Sequence, residues 1–152
     1  MTRYLFLLLP LLAVPADATT LESLQGQWRG EGALTLGSEP EQRLRCQIRL
    51  SPVQGGEVFF VGRCATAQGS QSFTYMLRES ADGAVEAENR AEGESDLPAR
   101  MEGRAEPGLV RFQSETGALF ELRRDGETLR LIIAGNNSRG PSRGEALLTL
   151  RE

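Results

Sequence analysis

The sequence predicts an all-β protein, an up-and-down antiparallel meander of about 8–10 strands closed into a barrel. Three observations carry this prediction. Apolar residues recur at every second position through almost the whole chain beyond Ala18, the period of a strand with one buried face. Turn dipeptides, namely Asp82-Gly83, Pro107-Gly108, Thr116-Gly117 and Asp125-Gly126, separate the alternating runs, and such pairs favour tight reversals. No stretch beyond Ala18 sustains helical periodicity, although Thr19–Gln25, "TTLESLQ", is compatible with a single turn.

Taken in order, the predicted strands begin at Trp28 and continue with Leu44, Cys46, Ile48 and Leu50, then with Val58, Phe60, Gly62 and Cys64. Phe73, Tyr75 and Leu77 mark the next strand, followed by weaker alternation at Val85 and Ala87 and at Ala99, Met101 and Gly103. Val110 and Phe112, Phe120 and Leu122, Leu129 to Ile133, and Ala146 to Leu150 complete the series. A meander with one apolar face hides that face and its edges best by closing on itself; a two-sheet sandwich is the alternative. Pairing Leu122 with Leu129 leaves Asp125-Gly126 as a two-residue, type I′-compatible loop.

Residues 1–18 read as a signal peptide: Arg3, an apolar run from Tyr4 to Val14, then the small-x-small group Ala16-Asp17-Ala18. The run is too short to cross a bilayer comfortably. The expected mature chain is one domain, 19–152, periplasmic or secreted, with no transmembrane segment. The net charge of −4 argues against nucleic acid as a partner. The chain has no histidine, and all 17 of its basic residues are arginine. Histidine-based triads, imidazole metal ligands and lysine Schiff bases are therefore excluded. No carboxylate pair falls on the apolar phase, so no catalytic residue, cofactor or metal is expected. The acidic stretch Glu86–Asp96 lacks calcium-loop spacing and reads as a mobile, solvated loop.

The two cysteines flank Gln54-Gly55-Gly56. If the strands around that turn pair, Leu50 faces Phe60, Ile48 faces Gly62, and Cys46 faces Cys64 within cross-strand reach. In an oxidising compartment the expected state is a disulfide, worth about 3 kcal/mol for a loop of this length. Extending the arithmetic places Tyr75 opposite Gly62, Met76 opposite Val61 and Phe112 opposite Gly103, an arrangement in which rings cover strand glycines.

The predicted inner phase carries no charge. Trp28, Phe60, Tyr75, Phe112 and Phe120 are its candidate ligand-binding residues, lining either an apolar cavity or a dry core. Leu34, Leu36, Phe73, Met101 and Leu131 share that phase. On the outer phase, Phe59, Val61 and Met76 form either a contact surface or a patch covered by Leu21 and Leu24. Arg43, Arg45, Arg49 and Arg63, with Arg29, form either a solvated face paired with Glu31 and Glu57 or an anion-binding patch.

Leu24-Gln25-Gly26-Gln27-Trp28 resembles the Gly-x-Trp signature that opens the first strand of lipocalins, avidins and related calycin barrels. The resemblance implies that Trp28 closes one end of the barrel and packs against an arginine from a late strand, Arg143 or Arg151. The lipocalins' Thr-Asp-Tyr type turn and C-terminal helix are missing, so the broader barrel class is the one implied. A second resemblance, carried by the leader, Leu24–Trp28 and the cysteine pair, is to bacterial inhibitors of secreted alkaline metalloproteases. It implies that Thr19, Thr20 and Leu21 form a mobile, unpaired tail that enters a protease's zinc cleft. Two functions follow as expectations: a monomeric binder of a small apolar ligand, and an inhibitor of a secreted protease.

Overall fold

The computed structural model describes residues 18–152. The predicted signal peptide therefore lies, but for its last residue, outside the described residues. A four-residue helix, α1 (Thr20–Ser23), precedes ten antiparallel strands. These are β1 (Gly26–Leu36), β2 (Gln42–Pro52), β3 (Glu57–Thr66), β4 (Gly69–Glu79), β5 (Ala84–Asn89), β6 (Arg100–Glu106), β7 (Leu109–Gln113), β8 (Leu119–Asp125), β9 (Thr128–Asn137) and β10 (Gly140–Arg151). Each strand pairs with its neighbours in sequence, and β1 pairs with β10, so the meander is a closed barrel rather than a sandwich. Closure removes the exposed ladder groups an open sheet would offer. No helix among the described residues is long and apolar enough to cross a membrane.

The alternation becomes burial. Along β2, Leu44, Cys46, Ile48 and Leu50 are buried and the residues between them exposed. The predicted inner residues are buried, with Leu34 as the partly exposed exception. Cys46 stands opposite Cys64 and the two are disulfide-bonded.

Three register expectations are corrected. Gly62 pairs with Phe73, not Tyr75, and Met76 pairs with Phe59, not Val61. The reason lies in the β3–β4 turn, which closes on the Thr66–Gly69 pair with only two residues in the loop. The Thr66 hydroxyl accepts the Gln68 N–H at 3.2 Å, a local bond that favours a loop at Ala67-Gln68 over one shifted to Gln68-Gly69. Covering the glycine is still the outcome, because a Cβ on Gly62 would lie 2.4 Å from the Phe73 ring. Leu122 pairs with Leu131 rather than Leu129, and Gly126-Glu127 forms the loop. Gly126 alone takes a left-handed φ, +60°, and no described non-glycine residue has a positive φ. That suits a loop with glycine first, whereas the Asp-Gly reading requires Asp125 to be left-handed as well. Phe112 does face Gly103.

The barrel interior is packed with rings. Phe60, Phe73, Tyr75, Phe112 and Phe120 form one cluster with centroids 4.8–6.2 Å apart. Such contacts contribute beyond their area, and the rings fill the middle of the barrel.

Candidate functional site

The two ends of the barrel are built differently. One is sealed by the N-terminal segment. Thr19 caps α1, its hydroxyl accepting the Glu22 N–H while the Glu22 carboxylate accepts the Thr19 N–H. The Glu79 carboxylate at the end of β4 accepts the Thr20 and Leu21 N–H groups at 3.3 and 2.9 Å, a favourable place for a negative charge. Leu21 and Leu24 are fully buried in the barrel core. Trp28 lies beneath them with its indole N–H donating to the Leu24 carbonyl at 3.0 Å. The Arg124 guanidinium stacks over the indole, 5.2 Å from its centroid, and donates to the Ser23 and Gly126 carbonyls.

Trp28 thus closes one end, but the arginine over it is Arg124 from β8, not Arg143 or Arg151. Arg124 continues the inner phase of Phe120 and Leu122, a signal legible in the sequence but missed because its charge argued for the outside. The Thr19–Leu21 tail is not unpaired: Thr19 caps α1, the Thr20 and Leu21 N–H groups are bound by Glu79, and Leu21 is buried. Nor does it cover Phe59, Val61 and Met76. Those three are half-buried on the outer wall, where Phe59 pairs with Met76.

The opposite end is open. A cup of about 460 Å³ is sunk into it, with Phe73 and Phe120, 5.1 Å apart between centroids, as its floor. Leu34, Leu97, Ala118 and Ile133 form its apolar wall; these are also the residues that pack against the core while staying partly exposed. Gln71, Asn136, Asn137 and Ser142 supply amide and hydroxyl groups. Cys64 contributes one end of the disulfide to the wall. Asp96 is the one ionisable group of the lining.

The β5–β6 connection, residues 90–99, forms one side of the cup and is tied down by hydrogen bonds from β4 and β5. Tyr75 donates its hydroxyl to the Pro98 carbonyl at 2.8 Å, and burial pushes that hydroxyl up to about 12. The Asn89 amide donates to Ser95 Oγ at 3.3 Å and to the Leu97 carbonyl at 3.4 Å. The Asn89 N–H donates to the Ala99 carbonyl at 2.9 Å. The acidic stretch predicted as a loop over Glu86–Asp96 is in part strand, since β5 runs to Asn89.

Of the five predicted ligand-binding residues, Phe120 alone lines the cup. Phe60, Tyr75 and Phe112 are fully buried beneath it, and Trp28 is at the sealed end. Leu97 and Ile133 complete the wall without having been singled out. Ile133 shares the inner phase of Leu129 and Leu131, while Leu97 sits in a loop where no periodicity points to burial.

No family model matches this chain, and no curated protein sequence matches it. It is similar in structure to the protein in "Crystal Structure of Rv2717c from M. tuberculosis", with a TM-score of 0.62 and 17% sequence identity, over 89% of this chain and 99% of that one. At this identity the likeness is one of fold, a small closed antiparallel barrel.

Proposed function

We propose that this is an exported, non-catalytic barrel that holds a small, mainly apolar ligand in its open mouth. The observation that carries the reading is the cup of about 460 Å³ above a floor of two phenylalanine rings, within the size range of small-molecule sites. Its apolar wall and neutral polar groups suit a ligand with a hydrocarbon body and one uncharged polar end. Asp96 stands without a second ionisable group in the lining, so the acid–base pair that proton transfer chemistry needs is not assembled there. The predicted leader and the disulfide support an exported location.

Metalloprotease inhibition through the N-terminal tail is the less supported reading. Withdrawing Thr19–Leu24 into a cleft would expose Leu21 and Leu24 and break the Glu79 and Arg124 contacts.

The test is titration with 1-aminoanthracene, whose emission rises in an apolar site, together with mass spectrometry of extracts from natively purified protein. Saturable binding is expected, and Ala118→Arg, which places a charge in the wall, should abolish it without a large fall in melting temperature. Trp28 is at the far end and should not report the event. No saturable binding and no co-purified species would overturn the proposal.

A further inference from the structure

The outer wall carries a second feature, unrelated to the mouth. Two adjacent rows of outward residues cross the same five strands. One row is Arg151, Gln27, Arg49, Val61 and Thr74; the next is Thr149, Arg29, Gln47, Arg63 and Ser72. No carboxylate stands in either row, in a chain of net charge −4. The four arginines are exposed. They alternate from row to row on four consecutive strands, so that each has another as its diagonal neighbour. Among the described residues none of the four is in an ion pair. Arg63 donates to Ser70 Oγ at 3.0 Å. Glu31 in the following row is taken up by Arg43 and Arg45, and Glu57 is paired with Arg78. The arginine-rich face therefore divides into a neutralised part and an uncompensated part. The uncompensated part is a local concentration of positive charge, which suits an anionic partner. A shallow depression of about 390 Å³ lies among Arg29, Arg49 and Arg63.

We propose that these two rows bind a linear acidic polysaccharide, its carboxylate or sulfate groups meeting Arg151, Arg29, Arg49 and Arg63 in turn and its hydroxyls meeting Gln27, Gln47 and Thr149. The arrangement favours this partner over other polyanions. The arginines occupy four of the ten strands of a closed barrel, so they lie on a curved wall; a planar bilayer touches only its crest, while a flexible chain follows it. Successive arginines are diagonal neighbours about 7–8 Å apart, a spacing within reach of an extended glycan with acidic groups on successive or alternate sugars. Neither row presents an aromatic ring on which bases of a single strand would stack. The closed ladder offers no edge to which an acidic peptide could add as a strand. Amide and hydroxyl side chains between the guanidinium groups match a partner dense in hydroxyls, and guanidinium groups pair well with carboxylate and sulfate oxygens.

The experiment is titration of the leaderless protein with heparin fragments and with oligogalacturonate of defined length. Neutral dextran, a single-stranded oligonucleotide, poly-glutamate and anionic phospholipid vesicles are run alongside. Binding to at least one acidic glycan is expected, weakening steeply as salt rises. The double variant Arg29→Gln/Arg49→Gln should bind it roughly tenfold more weakly. Arg111→Gln, which removes a charge from the opposite wall, should bind as the parent does. Circular dichroism and an unchanged melting temperature confirm that the variants fold. Retention of 1-aminoanthracene binding by the double variant is expected, because the two sites are separate. Absence of glycan binding at low salt, equal affinity in the double variant, or tighter binding to the oligonucleotide, poly-glutamate or vesicles would overturn the proposal.

Discussion

Gly30 and Gly32 stand where β1 meets β10 and the barrel closes. A Cβ on Gly30 would lie 2.0 Å from the Leu147 carbonyl oxygen, and one on Gly32 would lie 1.8 Å from that of Glu145. The obstacle is backbone, which cannot swing aside as a side chain can. Gly32→Ala should therefore cost about 3 kcal/mol, the upper end of overpacking, while Gly69→Ala, which meets nothing within 4 Å, should stay within about 0.5 kcal/mol of the parent. Urea midpoints decide between these values. Tyr75 is the other informative residue, because the chain's second tyrosine, Tyr4, belongs to the predicted leader. In leaderless protein the phenolate absorbance then reports Tyr75 alone. It should rise near pH 12 in the folded state, and near 10 in denaturant. The sign follows from the raised folded value: stability is unaffected below pH 10 and falls as pH climbs from 10 towards 12, where the unfolded chain releases the proton first. Tyr75→Phe should lack this alkaline loss. At neutral pH it should cost about 1 kcal/mol and speed amide exchange in residues 90–99.

At the scale of elements, the short α1 is held by what surrounds it, since four residues cannot sustain a helix in isolation. Its contribution is Leu21 and Leu24, both fully buried. Leu21→Ala should destabilise by about 3 kcal/mol, whereas Leu147→Ala, at an exposed leucine on β10, should be nearly neutral. A mobile inhibitory tail predicts the contrary for Leu21, so thermal melting of this one variant separates the two accounts of the N-terminus. The β2–β3 hairpin has a covalent tie in Cys46–Cys64, residues 18 apart in sequence. Replacing both cysteines with alanine should lower stability by about 3 kcal/mol in the chain-entropy model, read as a shift of the urea midpoint in oxidised protein.

For the whole molecule, closure makes the first strand depend on the last. β1 pairs with β10 from Gln27–Arg151 to Leu36–Ser142, so the seam cannot form until the chain is complete. Deleting β10 leaves ladder groups open on both β1 and β9, and such edges recruit other chains. Protein truncated after Arg139 should elute as aggregate in size-exclusion chromatography rather than as a smaller monomer. The same closure sets the shape of the interior. The rings of β3, β4, β7 and β8 meet across the middle of the barrel, so the cup is confined to the mouth.

The sequence by itself determined which residues face inward, because burial on a sheet follows a period of two that each strand carries locally. It also determined the Cys46–Cys64 and Leu50–Phe60 pairings, and the antiparallel order of the strands. Only the tertiary structure decided the β3–β4 and β8–β9 registers. Pairings that differ by two residues keep every side chain on the same face, so the apolar pattern cannot choose between them; the Thr66 hydroxyl and the left-handed Gly126 do. Only the tertiary structure placed Arg124 over Trp28, set Leu97 on the mouth, and separated Arg29, Arg49, Arg63 and Arg151 from arginines already paired with Glu31 and Glu57. These are contacts between strands or loops distant in sequence. Their partners are chosen by how a closed barrel brings faces together, which no local period records.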